Sequence, residues 1–342
     1  MTINEGEEMD TVSRGRVVVV TTGGTIAMRH DPTAGGGVPA LEASDLFAFL
    51  PDLGIPLEGM AVCNLPGPHM TPQMMWAARA AVAQALARPG VSGVVVTHGT
   101  DTIEETATLL DLTLDSLKPV VVTGAMRHSS QVSYDGPANL AAAIRVAADP
   151  AARGLGTLVV LDDAIHAARH VTKTHTQALW TFQSGQFGPL GVIDAMGVHI
   201  AQRVTPRPIA CSRLETNVGL LMLAAGSEPD GFEYLVARGA AGIVLAALGG
   251  GRVPASWLEP ITAAIAAGVL VVIATRVPQG RVGDPYGFPG CHRDLRERGC
   301  LFAGDLNAPK ARIALMVALG AAEGDRARAR ALWPGLVGWP SS

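Results

Sequence analysis

The sequence predicts an α/β protein in which a mainly parallel, doubly wound sheet is built twice. Short apolar runs dominated by valine recur, long enough for a strand buried on both faces and too short for a helix. Strand-like runs alternate with segments that carry helix-start signals. Between about Gly191 and Asn217 the alternation gives way to short extended pieces containing Pro206 and Pro208, and then it resumes. The expected boundaries are a tail over 1–15, a first domain over 16–203, a connection over 204–216 and a second domain over 217–342.

The first strand is Val17-Val18-Val19-Val20, which meets Thr21-Thr22 and the pair Gly23-Gly24. Four β-branched residues in succession favour a strand, and paired glycines let the backbone turn tightly and approach a ligand. A hydroxyl is thus placed at the carboxyl end of a strand, where open α/β sheets hold ligands; a plain strand-to-loop turn reads this stretch equally well. A phosphate loop does not fit, because its Gly-Lys-Ser/Thr ending is missing, and the Gly spacing is not that of a dinucleotide fingerprint. Met28 to Val38, with Gly35-Gly36-Gly37, reads as a flexible loop, an ordinary surface connection or a mobile lid, and His30 as an exposed loop residue.

A short helix is expected over Leu41 to Leu50, a strand over Ala61 to Leu65, and a helix from Thr71-Pro72 to Ala87, capped by Thr71. Val91 to Val96 is the next strand, ending in Thr97-His98-Gly99-Thr100-Asp101-Thr102. The helix opening at Ile103 has Thr102 as its cap and Glu105 closing a capping box. Strands over Lys118 to Thr123 and Gly156 to Leu161 flank a helix from Asp135 to Ala148. In the second half, strands are expected at Val218 to Leu223, Gly242 to Ala246 and Val269 to Ile273, and helices at Pro229 to Arg238, Pro254 to Ala267 and Ala311 to Gly320. The Arg- and Ala-rich end is helical and frays over 339–342.

Composition excludes several classes. Charged residues are 16% of the chain and the net charge is -4, which is no basic nucleic-acid surface. No run has the apolar length of a membrane helix, and the first fifteen residues have no apolar core of a secretory signal. Cys63, Cys211, Cys291 and Cys300 show no metal spacing and suit a reducing, cytoplasmic compartment.

Chemistry is concentrated in Thr22, in Thr100 with Asp101, and in Lys173. A threonine hydroxyl needs a nearby base to act as a nucleophile. A lysine supplies one if burial disfavours its ammonium, and a carboxylate can orient the pair. The competing reading is a structural ion pair of Lys173 with Asp101 or Asp163.

The segments TTGGTIA (Thr21 to Ala27) and VVVTHGTDTIEET (Val94 to Thr106) resemble the two signatures of the bacterial-type L-asparaginase family. The similarity continues through PVVVTGAMR (Pro119 to Arg127), DGPANL (Asp135 to Leu140), HVTKTHT (His170 to Thr176), GPLG (Gly188 to Gly191) and LNAPKARIAL (Leu306 to Leu315). The resemblance implies a larger catalytic N-terminal domain and a smaller, Rossmann-like three-layer C-terminal domain. It also implies a homotetramer of close dimers, each site completed by a neighbour's C-terminal domain. Thr22 matches the nucleophile that forms an acyl-enzyme, and Thr100, Asp101 and Lys173 match the second catalytic set. The backbone amide at Thr100, with an ordered water, is implied to hold the oxyanion, and Asp101 to grip the substrate's α-amino group. Neither a metal nor an organic cofactor is implied.

The departures from the family pattern concern recognition. The family's lid tyrosine has no counterpart between Ala27 and Leu46. The family's Ser-Gln-Asp or Ser-Ser-Asn substrate clamp is replaced by Gly67-Pro68-His69. The second-domain segments that would serve a neighbour's site read Gly249-Gly250-Gly251-Arg252 and Tyr286 to His292. The sequence therefore implies an L-asparagine amidohydrolase. Its competitors are an enzyme of the same family acting on another small amide, imide or ester, and a weakly catalytic metabolite-binding homologue.

Overall fold

The computed structural model describes residues 15–338. All but Gly15 of the expected tail, and the expected frayed end, lie outside the described residues. The N-terminal half contains β1 (Arg16–Gly23), β2 (Met28–Asp31), β3 (Gly36–Pro39), α1 (Ala43–Ala48), β4 (Leu57–Leu65), α2 (Pro72–Leu86), β5 (Val91–Thr97) and α3 (Ile103–Thr113). It continues with β6 (Val120–Thr123), α4 (Gly136–Ala148), β7 (Thr157–Leu161), β8 (Ala164–Ala167), β9 (Thr172–Lys173), β10 (Phe182–Gln183), β11 (Gly191–Asp194) and β12 (Gly197–Ile200). The C-terminal half is β13 (Val218–Met222), α5 (Asp230–Ala237), β14 (Gly242–Ala247), α6 (Leu258–Ala266), β15 (Leu270–Thr275), α7 (His292–Glu297), β16 (Leu301–Phe302), α8 (Ala308–Ala321) and α9 (Arg326–Val337).

The first sheet has eight strands in the order β12-β11-β8-β7-β6-β5-β1-β4. From β4 to β7 it is parallel; β8, β11 and β12 close it as an antiparallel edge. The valines of β1 alternate between its two faces. Val17 and Val19 pack with Leu140 and Ile144 of α4, whereas Val18 and Val20 pack with Val82 of α2 and Ile103 and Ala107 of α3. Strand order departs from β1 in both directions, to β4 on one side and through β5 on the other. That is the topological switch point, where such sheets open a crevice at their carboxyl ends.

The second sheet, β13-β14-β15-β16, is wholly parallel. Phe232, Trp257 and Ile261 cover one face; α8 covers the other and also packs on Leu109 and Leu112 of α3. The α8 helix is thus core to both halves. Nearly all of it is buried, and its N-cap Asn307 accepts from Lys310 N at 3.1 Å.

Two expectations are corrected. The glycine-rich segment after β1 is a paired hairpin, β2 with β3, in which Asp31 faces Gly36. It docks on the loop after β6, through His30 N to Ser130 Oγ at 3.0 Å and Ser129 Oγ to Met28 O at 2.8 Å. The capping box at α3 does not form. Thr102 occupies the cap position, but its hydroxyl donates to Gly67 O at 3.1 Å and so ties two loops together. The antiparallel edge, α7 and β16 were not expected. No helix among the described residues is long and apolar enough to cross a membrane.

Candidate active site

Four glycines bring the carboxyl ends of β1, β4 and β5 together. Gly23 and Gly24 have φ of 100° and 83°, which ordinary residues rarely adopt. A Cβ on Gly24 would lie 2.4 Å from Gly99 N, and one on Gly99 would lie 2.4 Å from the Gly67 Cα. Only backbone atoms can stack this closely, so a side chain at Gly24 or Gly99 is excluded from the floor of the crevice.

On that floor Thr22 is buried, and its hydroxyl donates to Thr97 O at 2.8 Å. The thiol of Cys63, from β4, reaches Thr22 O at 3.4 Å. Thr100, Asp101 and Lys173 come together. Lys173 Nζ donates to Thr100 Oγ1 at 3.0 Å and to Asp101 Oδ1 at 2.8 Å. Thr100 is buried, the Lys173 side chain is 17% exposed and that of Asp101 is 53% exposed. A hydroxyl, an amine and a carboxylate in this sequence of contacts have the geometry of a nucleophile, a base and an orienting group. The hydroxyl is that of Thr100; that of Thr22 is bound to a backbone carbonyl.

Gly67 is buried beside this cluster, where a Cβ would come 3.4 Å from Asp101 Oδ2. Pro68 and His69 are exposed in the same turn. Gly67 and Pro68 carry no hydrogen-bonding side-chain group.

The second domain supports the lysine. Lys173 lies on β9, paired with Phe182 of β10. Just upstream, the Val171 carbonyl accepts from the buried Lys310 ammonium of α8. Asn307 Nδ2 donates to Glu104 Oε2 at 2.9 Å and approaches Thr172 Oγ1 at 3.5 Å. Burial lowers the Lys310 ammonium to about 8, against the attraction of Glu104, Asp305 and Asp111. Glu105, freed from a capping role, is raised to about 7 by burial and Glu104, with Arg312 opposing.

Sequence reasoning missed Lys310 and Asn307, although both lie in LNAPKARIAL. It also missed His98, whose ring is buried between Gly99 and Thr106. Tyr134 donates to Ile26 O at 2.6 Å, so it braces the chain after the glycine pair without touching the Thr22 hydroxyl. Arg252 bonds Asp284 at 3.1 Å and lies over Tyr286, while His292 packs on Phe302, all within the second domain.

Residues 16–206 match the family model described as Asparaginase, N-terminal, and residues 217–332 match the Glutaminase/Asparaginase C-terminal domain. The chain is 42% identical to a probable L-asparaginase of Deinococcus radiodurans, over 89% of this chain and 92% of that protein. It is 34% identical to an L-asparaginase of Bacillus licheniformis, over 89% and 95%. It is 33% identical to a probable periplasmic L-asparaginase of Haemophilus influenzae, over 89% and 88%. With two family domains matched in order along the chain, over residues 16–206 and 217–332, the chain belongs to the asparaginase family.

Proposed function

We propose that this protein hydrolyses L-asparagine to L-aspartate and ammonia through a threonyl acyl-enzyme. The observation that carries the reading is the Thr100–Lys173–Asp101 cluster, which follows the strand whose Thr97 carbonyl holds the Thr22 hydroxyl. Thr22 Oγ1 attacks the side-chain amide carbon. The hydroxyl proton leaves through the Thr100–Lys173 pair, which requires Nζ to enter the step as the neutral amine. The Thr100 N–H receives the oxyanion. The C–N bond breaks as the leaving nitrogen takes a proton, ammonia departs, and water cleaves the ester. Asp101, half exposed, faces the α-ammonium of the substrate.

A second reading has its own support. The lysine hydrogen-bonds Thr100 directly, so Thr100 could be the nucleophile and Thr22 an orienting hydroxyl. Trapping the acyl-enzyme with an electrophilic asparagine analogue, followed by peptide mass spectrometry, separates the two. Label on the peptide carrying Thr22, lost in Thr22→Val, is expected; label on Thr100 would transfer the role. A folded Thr22→Val enzyme with wild-type turnover would remove Thr22 from the chemistry.

Domain boundaries at 203 and 217, a cytoplasmic location and a homotetramer belong to the same proposal. The four free cysteines support the reducing compartment, and the family resemblance supports the assembly. Light scattering on the purified chain tests the tetramer.

A further inference from the structure

His98 follows β5, fully buried and two residues before Thr100. Its Nδ1 lies 2.9 Å from Gly99 O and its Nε2 lies 2.8 Å from Thr106 Oγ1. A carbonyl oxygen only accepts, so Nδ1 carries the hydrogen and Nε2 accepts from the Thr106 hydroxyl. Burial pushes the ring down to about 4, which keeps it neutral and in that tautomer near pH 7. The Thr102 N–H adds a longer bond to the same carbonyl, at 3.4 Å.

No peptide bond in the described residues is cis, so the carbonyl of Gly99 and the N–H of Thr100 point in opposite directions. With Gly99 O drawn to the His98 ring, the Thr100 N–H faces away from it. Among the described residues that N–H donates to no protein group, although Thr100 is only 6% exposed. A buried donor in that state calls for an acceptor from outside the protein. Position 99 must be glycine because of its approach to Gly67, and glycine is the residue least able to fix its own peptide. The clamp therefore has to come from a neighbour.

We propose that His98 is a positioning residue: by holding the Gly99 carbonyl it aims the Thr100 N–H at the oxyanion of the tetrahedral intermediate, and Thr106 locks the tautomer required. The proposal rests on the amide-hydrolysis reading. A donor held in place before reaction has no reorganisation left to undergo when charge develops.

Asparagine at position 98 puts an amide nitrogen near the place of Nδ1; glutamine puts one near Nε2 and leaves Gly99 O without its ring donor. His98→Gln should lower kcat on L-asparagine by about 10²-fold, while the dissociation constant of L-aspartate, which has no tetrahedral oxyanion, changes less than about fivefold. His98→Asn should stay within about tenfold of wild type, and Thr106→Val should fall between the two. Crystal structures should show the Gly99–Thr100 peptide rotated in His98→Gln and retained in His98→Asn. Wild-type kcat in His98→Gln, equal losses in both glutamine and asparagine variants, or an unrotated peptide would overturn the proposal. If His98→Gln does not fold, Thr106→Val carries the same kinetic and crystallographic test. Absence of ammonia release by the wild-type enzyme would instead refute the hydrolase reading, and the peptide orientation would still decide what His98 holds.

Discussion

Replacing Lys173 by methionine removes one ammonium from the crevice and keeps most of its stem. The lost ion pair is with Asp101, whose side chain is 53% exposed, and such a pair contributes about 0–1 kcal/mol. The lost bond to Thr100 adds about 0.5–1.5 kcal/mol. A destabilisation of about 1–2 kcal/mol lowers the melting temperature of a large chain by less than about 8 °C. Loss of a positioned acid–base group slows turnover by about 10²–10⁴-fold, or about 3–5 kcal/mol on the barrier. The barrier should therefore respond more than the fold. Ammonia release in a coupled assay, run beside a thermal melt, measures both. A folded Lys173→Met enzyme with more than about a tenth of wild-type kcat would refute the reasoning and return Lys173 to a structural ion pair.

Lys310→Met should show the opposite balance. It strands the buried Val171 O, which costs about 1–3 kcal/mol in denaturant unfolding; a loss below about 0.5 kcal/mol would show that α8 is held by its apolar face alone. Glu105 binds its proton more tightly folded than unfolded, so its contribution is complete below 4.5 and is lost as pH rises through about 7. Glu105→Gln should accordingly gain up to about 3 kcal/mol over wild type at pH 8 and almost nothing at pH 4.5; equal differences in urea melts at the two pH values would contradict this. The substrate's carboxylate and ammonium must recover lost hydration through charge-assisted bonds. With Gly67 and Pro68 offering none from their side chains, the Michaelis constant for L-asparagine should be millimolar or higher, and some amide without a free α-amino group should turn over better. A micromolar constant with no better substrate in the panel would show that other residues rebuild the clamp.

Much of this was legible in sequence because it is written locally. The valines of β1 and β5, the Thr71-Pro72 helix start and the glycine pair each announce themselves within a few residues. The capping box at α3 failed because the Thr102 hydroxyl had a better partner in Gly67 O, supplied by another loop. The hairpin was read as a loop because three glycines signal freedom, whereas its order comes from docking on Ser129 and Ser130. Thr22, Thr100 with Asp101, and Lys173 stand at or just after strand ends, as their sequence context suggests, but which threonine the lysine touches depends on distances no spacing encodes. His98 and Lys310 were passed over because their meaning lies in a carbonyl each holds, and carbonyls leave no mark in a sequence.

The contact between Lys310 and Val171 also sets an order in time. The two residues are 139 positions apart. At about 5–20 residues per second, a ribosome needs about 7–28 s to travel between them. During that interval the valine strands, Thr22 and Thr100 have all been synthesised, while β9 waits for the helix that anchors it. A nascent chain can therefore complete its central sheet before it can complete its active site. The lysine is seated last, so the appearance of activity reports docking of the second domain rather than folding of the first.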